Sequence, residues 1–128
     1  MKKTLLIVDD DLSILKLLSF ILSKDYDCVV KNNGIDAFGW LEEGHIPDLI
    51  LSDLQMPYFD GQSFAKNVKI SGFYRDIPVL LLSAAHDLDE QVSNMPFKID
   101  SYMHKPFKPT ELKSAINQLL QVYESSNV

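Results

Sequence analysis

Three short runs made only of apolar residues constrain most strongly what this chain can fold into. The runs are Leu5–Val8, Leu49–Leu51 and Val79–Leu82. None alternates between apolar and polar residues, as a strand with one face in water would, so they predict strands that are buried on both faces of a parallel sheet. Parallel strands need long crossover connections, which are usually helices. The runs therefore predict an alternation of strands and helices.

Apolar residues spaced three or four apart predict the crossover helices. The pattern occurs in five segments: Leu15, Leu18 and Leu22; Ala37 and Leu41 before Gly44; Phe64 and Val68 before Gly72; Leu88, Val92 and Met95; and Leu112, Ile116, Leu119, Leu120 and Tyr123. Pro109 suits the first turn of the last helix, and Pro96 should end the fourth. The two remaining strands are expected near Cys28–Lys31 and Ser101–His104. Five β/α units of this kind predict a three-layer, doubly wound α/β domain.

Composition narrows the class of protein. A chain of 128 residues with 46% hydrophobic residues can build one core without disulfides, and Cys28 is its only cysteine. A net charge of −6, with no basic run, argues against direct binding of nucleic acid. No stretch approaches the ~20 apolar residues of a membrane span, and the aspartates after Val8 interrupt any secretory signal. We therefore expect a cytoplasmic protein that does not contact membranes.

Polar residues follow four of the predicted strands: Asp9, Asp10 and Asp11 the first, Asp53 the third, Ser83 the fourth and Lys105 the fifth. Ligands of doubly wound sheets bind beyond the carboxyl ends of the strands, so these side chains should converge on one crevice. Asp11 is interpreted as the N-cap of the first helix. Carboxylates brought together repel one another unless a cation lies among them, and oxygen ligands favour Mg²⁺.

A carboxylate in such a crevice can also act as a covalent nucleophile. Enzymes that pass through an aspartyl-phosphate use one, provided that the charge of the incoming phosphoryl group is neutralised. Lys105 would supply a positive charge and Ser83 a hydroxyl donor. The residues alone therefore point to phosphoryl chemistry in this crevice.

Several motifs in order along the chain resemble the receiver domains of response regulators, which are the phosphorylated switches of two-component signalling. The motifs are Val8-Asp9-Asp10, Asp53-Leu54-Gln55-Met56-Pro57, Asp60-Gly61, Ser83-Ala84, and Tyr102 three residues before Lys105-Pro106-Phe107. The resemblance implies a flavodoxin-like (βα)5 fold with a five-stranded parallel sheet in the order 2-1-3-4-5. It implies a receiver domain over residues 1–124 and a tail, or the beginning of a linker, over residues 125–128.

The resemblance also assigns roles in the crevice. Asp53 would be the phosphoacceptor. Asp10, Asp53 and the backbone carbonyl of Gln55 would bind Mg²⁺ directly, and Asp9 would act through a bound water. Phosphorylation adds about −1.5 to −2 charge, which can bias a two-state element.

Three further residues would respond to the phosphoryl group. By the same resemblance, Ser83 would bond its oxygens, Lys105 would pair with it, and Tyr102 would change rotamer between the inactive and active states. The Lys105–Pro106 bond is expected to be cis, since native cis bonds are nearly always X-Pro. Tyr102 and His104 should point to the same side of the fifth strand.

The implied function is a switch that catalyses only its own phosphorylation and dephosphorylation. A sensor histidine kinase or a histidine-containing phosphotransfer protein would supply the phosphoryl group. The readout face would be the fourth helix, fifth strand and fifth helix, binding an output protein, a fused output domain or a second copy of the chain. Residues 94–100 contain no glycine, although many receivers have one there. We therefore expect a short or irregular fourth helix and a specialised readout face.

Two alternatives stay open at this point. Asp9-Asp10-Asp11 after an apolar strand is similar to the nucleophile motif of haloacid-dehalogenase-type phosphatases, but these need a further acidic motif, and only Glu111 and Glu124 follow Lys105. The second alternative is a degenerate receiver that only binds partners. Such a domain usually lacks the acceptor, the lysine or the acidic pair, and this chain has all three.

Overall fold

Strands and helices alternate five times along the chain in the computed structural model, which describes residues 2–56 and 61–126. The bounds are β1 Lys3–Val8, α1 Leu12–Leu22, β2 Tyr26–Lys31, α2 Gly34–Glu42, β3 Leu49–Asp53, α3 Gly61–Ile70, β4 Val79–Ser83, α4 Leu88–Ser93, β5 Ser101–His104 and α5 Pro109–Ser126. The predicted alternation is confirmed. No helix among the described residues is long and apolar enough to cross a membrane.

All five strands pair in parallel in the order β2-β1-β3-β4-β5. The three apolar runs form the central strands, and every residue of β3 and β4 is buried. In the edge strands, only Tyr26 of β2 is buried, and the other positions of β2 and all of β5 are half-buried or exposed. The predicted fold and strand order are confirmed.

Alternate residues of each central strand enter cores on opposite faces of the sheet. One core joins Leu5, Ile7 and Leu80 to apolar residues of α1 and α5. The other joins Leu6 and Leu81 to apolar residues of α2, α3 and α4. Burying a leucine side chain is worth about 1.5–3 kcal/mol, so the two cores hold the sheet rigidly between its helix layers.

Local signals set the helix boundaries. The Asp11 carboxylate accepts a hydrogen bond from the backbone N–H of Ser13 at 2.8 Å, which confirms the predicted N-cap of α1. After α2, Gly44 adopts a φ of +102°, a conformation that side chains other than glycine rarely take. Pro109 is the first residue of α5, as predicted.

The fourth helix is only six residues long and ends at Ser93. Proline cannot donate a backbone hydrogen bond and restricts the residue before it, so Pro96 prevents the helix from continuing. Met95 is buried, and Asp100 forms an ion pair of 2.6 Å with Lys69 of α3. These contacts hold the non-helical segment before β5 against the rest of the domain. The predicted short fourth helix is confirmed, but Met95, which was predicted to belong to it, lies beyond its end.

Candidate functional site

The crevice at the carboxyl edge of the sheet begins with two buried aspartates. Asp9 directly follows β1 and is 1% exposed, while Asp53 is the last residue of β3 and is 7% exposed. Asp10 lies beside them on the surface. One carboxylate oxygen from each of the three lies within 4.8 Å of the others. The structure therefore brings together the acidic cluster predicted from the strand ends.

Lys105 reaches this cluster from beyond β5. Its Nζ atom donates a hydrogen bond to Oδ2 of Asp9 at 2.8 Å and lies 3.3 Å from Oδ1 of Asp53. Its backbone N–H donates to the carbonyl of Ser83 at 2.8 Å, and the Lys105–Pro106 bond is cis, as predicted. The lysine thus bridges the two buried carboxylates.

The cluster changes the proton affinity of its members. Burial, followed by repulsion from Asp9, raises the pKa of Asp53 from 3.8 to about 6, although Lys105 and the backbone N–H of Gln55 act in the opposite direction. Burial by itself lowers the pKa of Lys105, but its hydrogen bond to Asp9 and the attraction of both carboxylates outweigh it, so the net pKa is raised. Lys105 is therefore charged at neutral pH.

The donor set fits a hard divalent cation. Three carboxylates supply oxygen ligands, and no His or Cys belongs to this group. Mg²⁺ favours such ligands and keeps several of its waters, which the exposed side of Asp10 permits. Burial is the main cause of the raised pKa of Asp53, and repulsion from Asp9 adds to it despite the nearby Lys105. A cation would relieve that repulsion.

Gln55 is exposed and lies two residues after the end of β3. Its backbone N–H bonds to the Asp53 carboxylate. The proposed role of its carbonyl as a metal ligand stays a prediction. Pro57 and Asp60, which belong to the predicted motifs, lie outside the described residues.

Ser83 ends β4 and is completely buried. Its hydroxyl oxygen accepts a hydrogen bond from the backbone N–H of Ala85 at 3.0 Å. The hydroxyl proton is therefore free to be donated elsewhere, while the bond holds the loop after β4 close to the strand. Ala84 is exposed and Ala85 is half-buried.

Tyr102 and His104 lie on the same exposed side of β5, as predicted, and their rings meet edge to face at 6.4 Å. Tyr102 is 37% exposed. A hydrogen bond with Asp89 of α4 is the main cause that raises the pKa of Tyr102. The sequence patterns did not indicate a role for Asp89, because only the packing of α4 beside β5 brings it close to Tyr102 and His104.

Gly61, the first residue of α3, lies close against the backbone at the end of β3. A Cβ atom at this position would lie 2.0 Å from the carbonyl oxygen of Asp53 and 2.6 Å from Cα of Leu54. Only glycine allows the helix to begin so close to the backbone of the acidic strand. The Asp60-Gly61 motif indicated that this glycine matters. It did not indicate the close approach to the backbone of Asp53 that requires a glycine here.

A family model described as response regulator receiver domain matches residues 5–117. The probable transcriptional regulator ycf27 of Cyanophora paradoxa is 33% identical over 125 residues, which cover 97% of this chain and 51% of that protein. The chain thus spans about half the length of this curated relative.

Solved structures agree with the match. The signal receiver domain of a signal transduction histidine kinase from Syntrophus aciditrophicus superposes with a TM-score of 0.85 at 32% identity, covering 93% of this chain and 90% of that one. The receiver domain of sensor histidine kinase PA1611 from Pseudomonas aeruginosa shares the fold, with a TM-score of 0.84 at 24% identity and coverage of 94% and 99%. That structure is described as having a magnesium ion coordinated in its active site cleft.

Proposed function

Because this chain belongs to the response regulator receiver domain family, we propose that Asp53 is its phosphoacceptor in two-component signalling. One observation carries the proposal: Lys105 bridges Asp9 and Asp53 inside a buried acidic cluster at the carboxyl edge of the sheet. An ion pair that served only to stabilise the fold would need one carboxylate beside the lysine. The additional acids and the raised pKa of Asp53 fit a site that neutralises an incoming anion together with a cation.

The phosphoryl transfer uses a carboxylate oxygen of Asp53 as the nucleophile. This oxygen forms a bond to phosphorus while the bond from phosphorus to a histidine nitrogen of the donor breaks, and the electron pair stays on that nitrogen. Lys105 offers its ammonium group to the phosphoryl oxygens, which carry most of the charge in such a step. Its existing approach of 3.3 Å to Asp53 means that little movement is needed.

The cation proposed for the reaction is Mg²⁺. Asp10, Asp53 and the Gln55 carbonyl would hold it directly, with Asp9 acting through water. When bound, it supplies positive charge to carboxylate and phosphoryl oxygens. This assignment rests on the acidic oxygen cluster, and a receiver of the same fold is described with magnesium in its cleft.

Ser83 and Tyr102 are proposed to carry the signal away from Asp53. The Ser83 hydroxyl can donate to a phosphoryl oxygen, and its bond with Ala85 would draw the loop after β4 along with it. A moved loop would leave room for Tyr102 to turn inward from its half-exposed position. The charge at Asp53 would thereby change the face made by α4, β5 and α5.

This face is the proposed contact for an output protein, an output domain fused to the chain, or a second copy of the chain. The proposed phosphodonor is a sensor histidine kinase or a histidine-containing phosphotransfer protein. Receiver domains are signalling switches, and we propose that this one catalyses only its own phosphorylation and dephosphorylation. Residues 1–124 are proposed as the switch, and residues 125–128 as a tail or the beginning of a linker.

The decisive test compares the wild type with Asp53→Asn in the presence of Mg²⁺ and a small phosphodonor such as acetyl phosphate. Intact-mass measurement should show one phosphoryl group on the wild type and none on the variant. Asp27→Asn, an exposed aspartate of β2, is the matched control and should be labelled like the wild type. Labelling of Asp53→Asn at the wild-type level, or steady turnover of a phosphomonoester, would contradict the proposal.

A further inference from the structure

A single exposed carboxylate connects the short fourth helix to the fifth strand. Asp89 lies in the first turn of α4, and its side chain is 74% exposed. Its Oδ1 lies 3.4 Å from Nε2 of His104, and its carboxylate is near enough to the hydroxyl of Tyr102 to raise the pKa of that group. The two rings also touch each other edge to face. Three side chains from two elements therefore form one small cluster on the surface.

The connection matters because α4 is weakly anchored. Within its six residues only Leu88 is buried, and Val92 is partly buried. The helix has no side-chain hydrogen bond at its N-cap. A helix this short gains little from its own hydrogen bonds, so contacts with neighbours decide its position.

We propose that Asp89 is a positioning residue that holds Tyr102 in its exposed orientation and so stabilises the unphosphorylated arrangement of α4 and β5. The inference rests on the proposed role of Tyr102 as the switch residue. Tyr102 cannot turn inward and stay beside the Asp89 carboxylate and the ring of His104, because both lie on the outer surface. His104 is a second partner that keeps Asp89 over the strand.

The size of the effect follows from the exposure of the contact. Exposed charged contacts are individually weak, so Asp89 can shift the equilibrium by a small factor only. A ligand that binds the active arrangement has an apparent affinity reduced by the fraction of molecules in that arrangement. Removing Asp89 should raise this fraction, and the apparent affinity for such a ligand should rise about two- to fivefold.

Beryllofluoride, a mimic of the phosphoryl group, provides the probe. The protein is titrated with it in the presence of Mg²⁺, and the backbone amide NMR signals of residues 101–104 report binding. Asp89→Ala should bind it about two- to fivefold more tightly than the wild type. Glu90→Ala is the matched control, since Glu90 is the other acidic residue in the first turn of α4. Equal midpoints for Asp89→Ala and Glu90→Ala would overturn the inference.

The ring signals of Tyr102, assigned by comparison with Tyr102→Phe, test the contact without any phosphoryl mimic. Asp89→Ala should shift these signals and lower the pKa of the Tyr102 hydroxyl, since the hydrogen bond to Asp89 raises it. Asp89→Asn keeps an oxygen acceptor and should lie between Asp89→Ala and the wild type. Ring signals that do not change in Asp89→Ala would refute the positioning role.

The two readouts separate this inference from the proposed function. If the wild type does not bind beryllofluoride, the proposed function of Asp53 fails. If the wild type binds it and the Asp89 variants bind it equally, only the positioning role of Asp89 fails. Urea unfolding of each variant shows whether it is folded, which is expected because the replaced side chains are exposed.

Discussion

Lys105 donates its hydrogen bond to Asp9, at 2.8 Å, and lies farther from the proposed phosphoacceptor Asp53, at 3.3 Å. Asp9 is almost completely buried, so the loss of its lysine partner should cost more stability than the loss of a partner at an exposed acid. The same ammonium group is close enough to Asp53 to meet a phosphoryl group there. We therefore expect both stability and the proposed phosphorylation to depend on Lys105.

Replacing this lysine should weaken both properties. Lys105→Met leaves two buried carboxylates without their shared cation, and we expect a loss of about 1–3 kcal/mol in the free energy of unfolding at pH 7. Phosphorylation by acetyl phosphate should fall strongly. Urea unfolding and intact-mass kinetics measure the two effects. Lys113→Met removes a partly exposed lysine whose Nζ lies 3.9 Å from Oδ2 of Asp25, and it should change stability by less than about 0.5 kcal/mol.

The charge of Asp53 should make stability depend on pH. The pKa of Asp53 is about 6 in the folded protein and 3.8 in the reference state, so the folded state holds its proton more tightly. The contribution of this group is fully present below pH 3.8 and is lost as the pH rises through about 6.

Asp53→Asn removes the titrating carboxylate, so the variant does not lose stability when the pH rises through about 6. Without Mg²⁺, the variant should be more stable than the wild type by about 1–2 kcal/mol at pH 7.5, less than the full pKa shift implies because water reaches part of the carboxylate. The difference should shrink as the pH falls through about 5. Urea unfolding in EDTA across this range measures it. A constant difference at every pH would show that Asp53 does not titrate in this window.

Asp10 should affect metal binding more than folding, because it is exposed and belongs to the acidic cluster. Asp10→Asn should raise the Mg²⁺ concentration needed for half of the maximal stabilisation at least tenfold. Its stability in EDTA should stay the same or rise slightly. Thermal unfolding at increasing Mg²⁺ provides the measurement, with Asp27→Asn as the control. Equal Mg²⁺ midpoints for the two variants would remove Asp10 from the proposed ligand set.

Gly61 should tolerate no side chain. In Gly61→Ala the new Cβ would overlap the Asp53 carbonyl oxygen, so the beginning of α3 or the end of β3 must move. We expect a loss of about 2–3 kcal/mol in unfolding free energy, and slower phosphorylation because Asp53 is displaced. Gly39→Ala in α2 is the control, since nothing lies within 4 Å of its new Cβ. It should raise stability by about 0.5–1 kcal/mol, because alanine favours helix.

The strength of each sequence signal explains which elements were predicted well. The central strands β1, β3 and β4 were clear because burial on both faces leaves an unbroken apolar run. The edge strands β2 and β5 were less clear, since each has positions that face water. Pro96 indicated the short fourth helix because its effect on the backbone is local.

The acidic crevice could be predicted for a similar reason. Parallel strands bring their carboxyl ends to one edge, so the positions of Asp9, Asp53, Ser83 and Lys105 at the ends of predicted strands were sufficient to place them together. The resemblance to receiver domains then suggested a role for each. Their distances, and the preference of Lys105 for Asp9, could not be read from spacing along the chain.

The sequence by itself determined the order of strands and helices, the two buried faces of the sheet and the set of polar residues at its carboxyl edge. These properties follow from periodicity and backbone chemistry, which act over a few neighbouring residues. The tertiary structure alone decided the raised pKa of Asp53, the close approach of Gly61 and the contact of Asp89 with Tyr102 and His104. Each depends on separations of a few ångströms, and on the exclusion of water, between residues that only packing brings together.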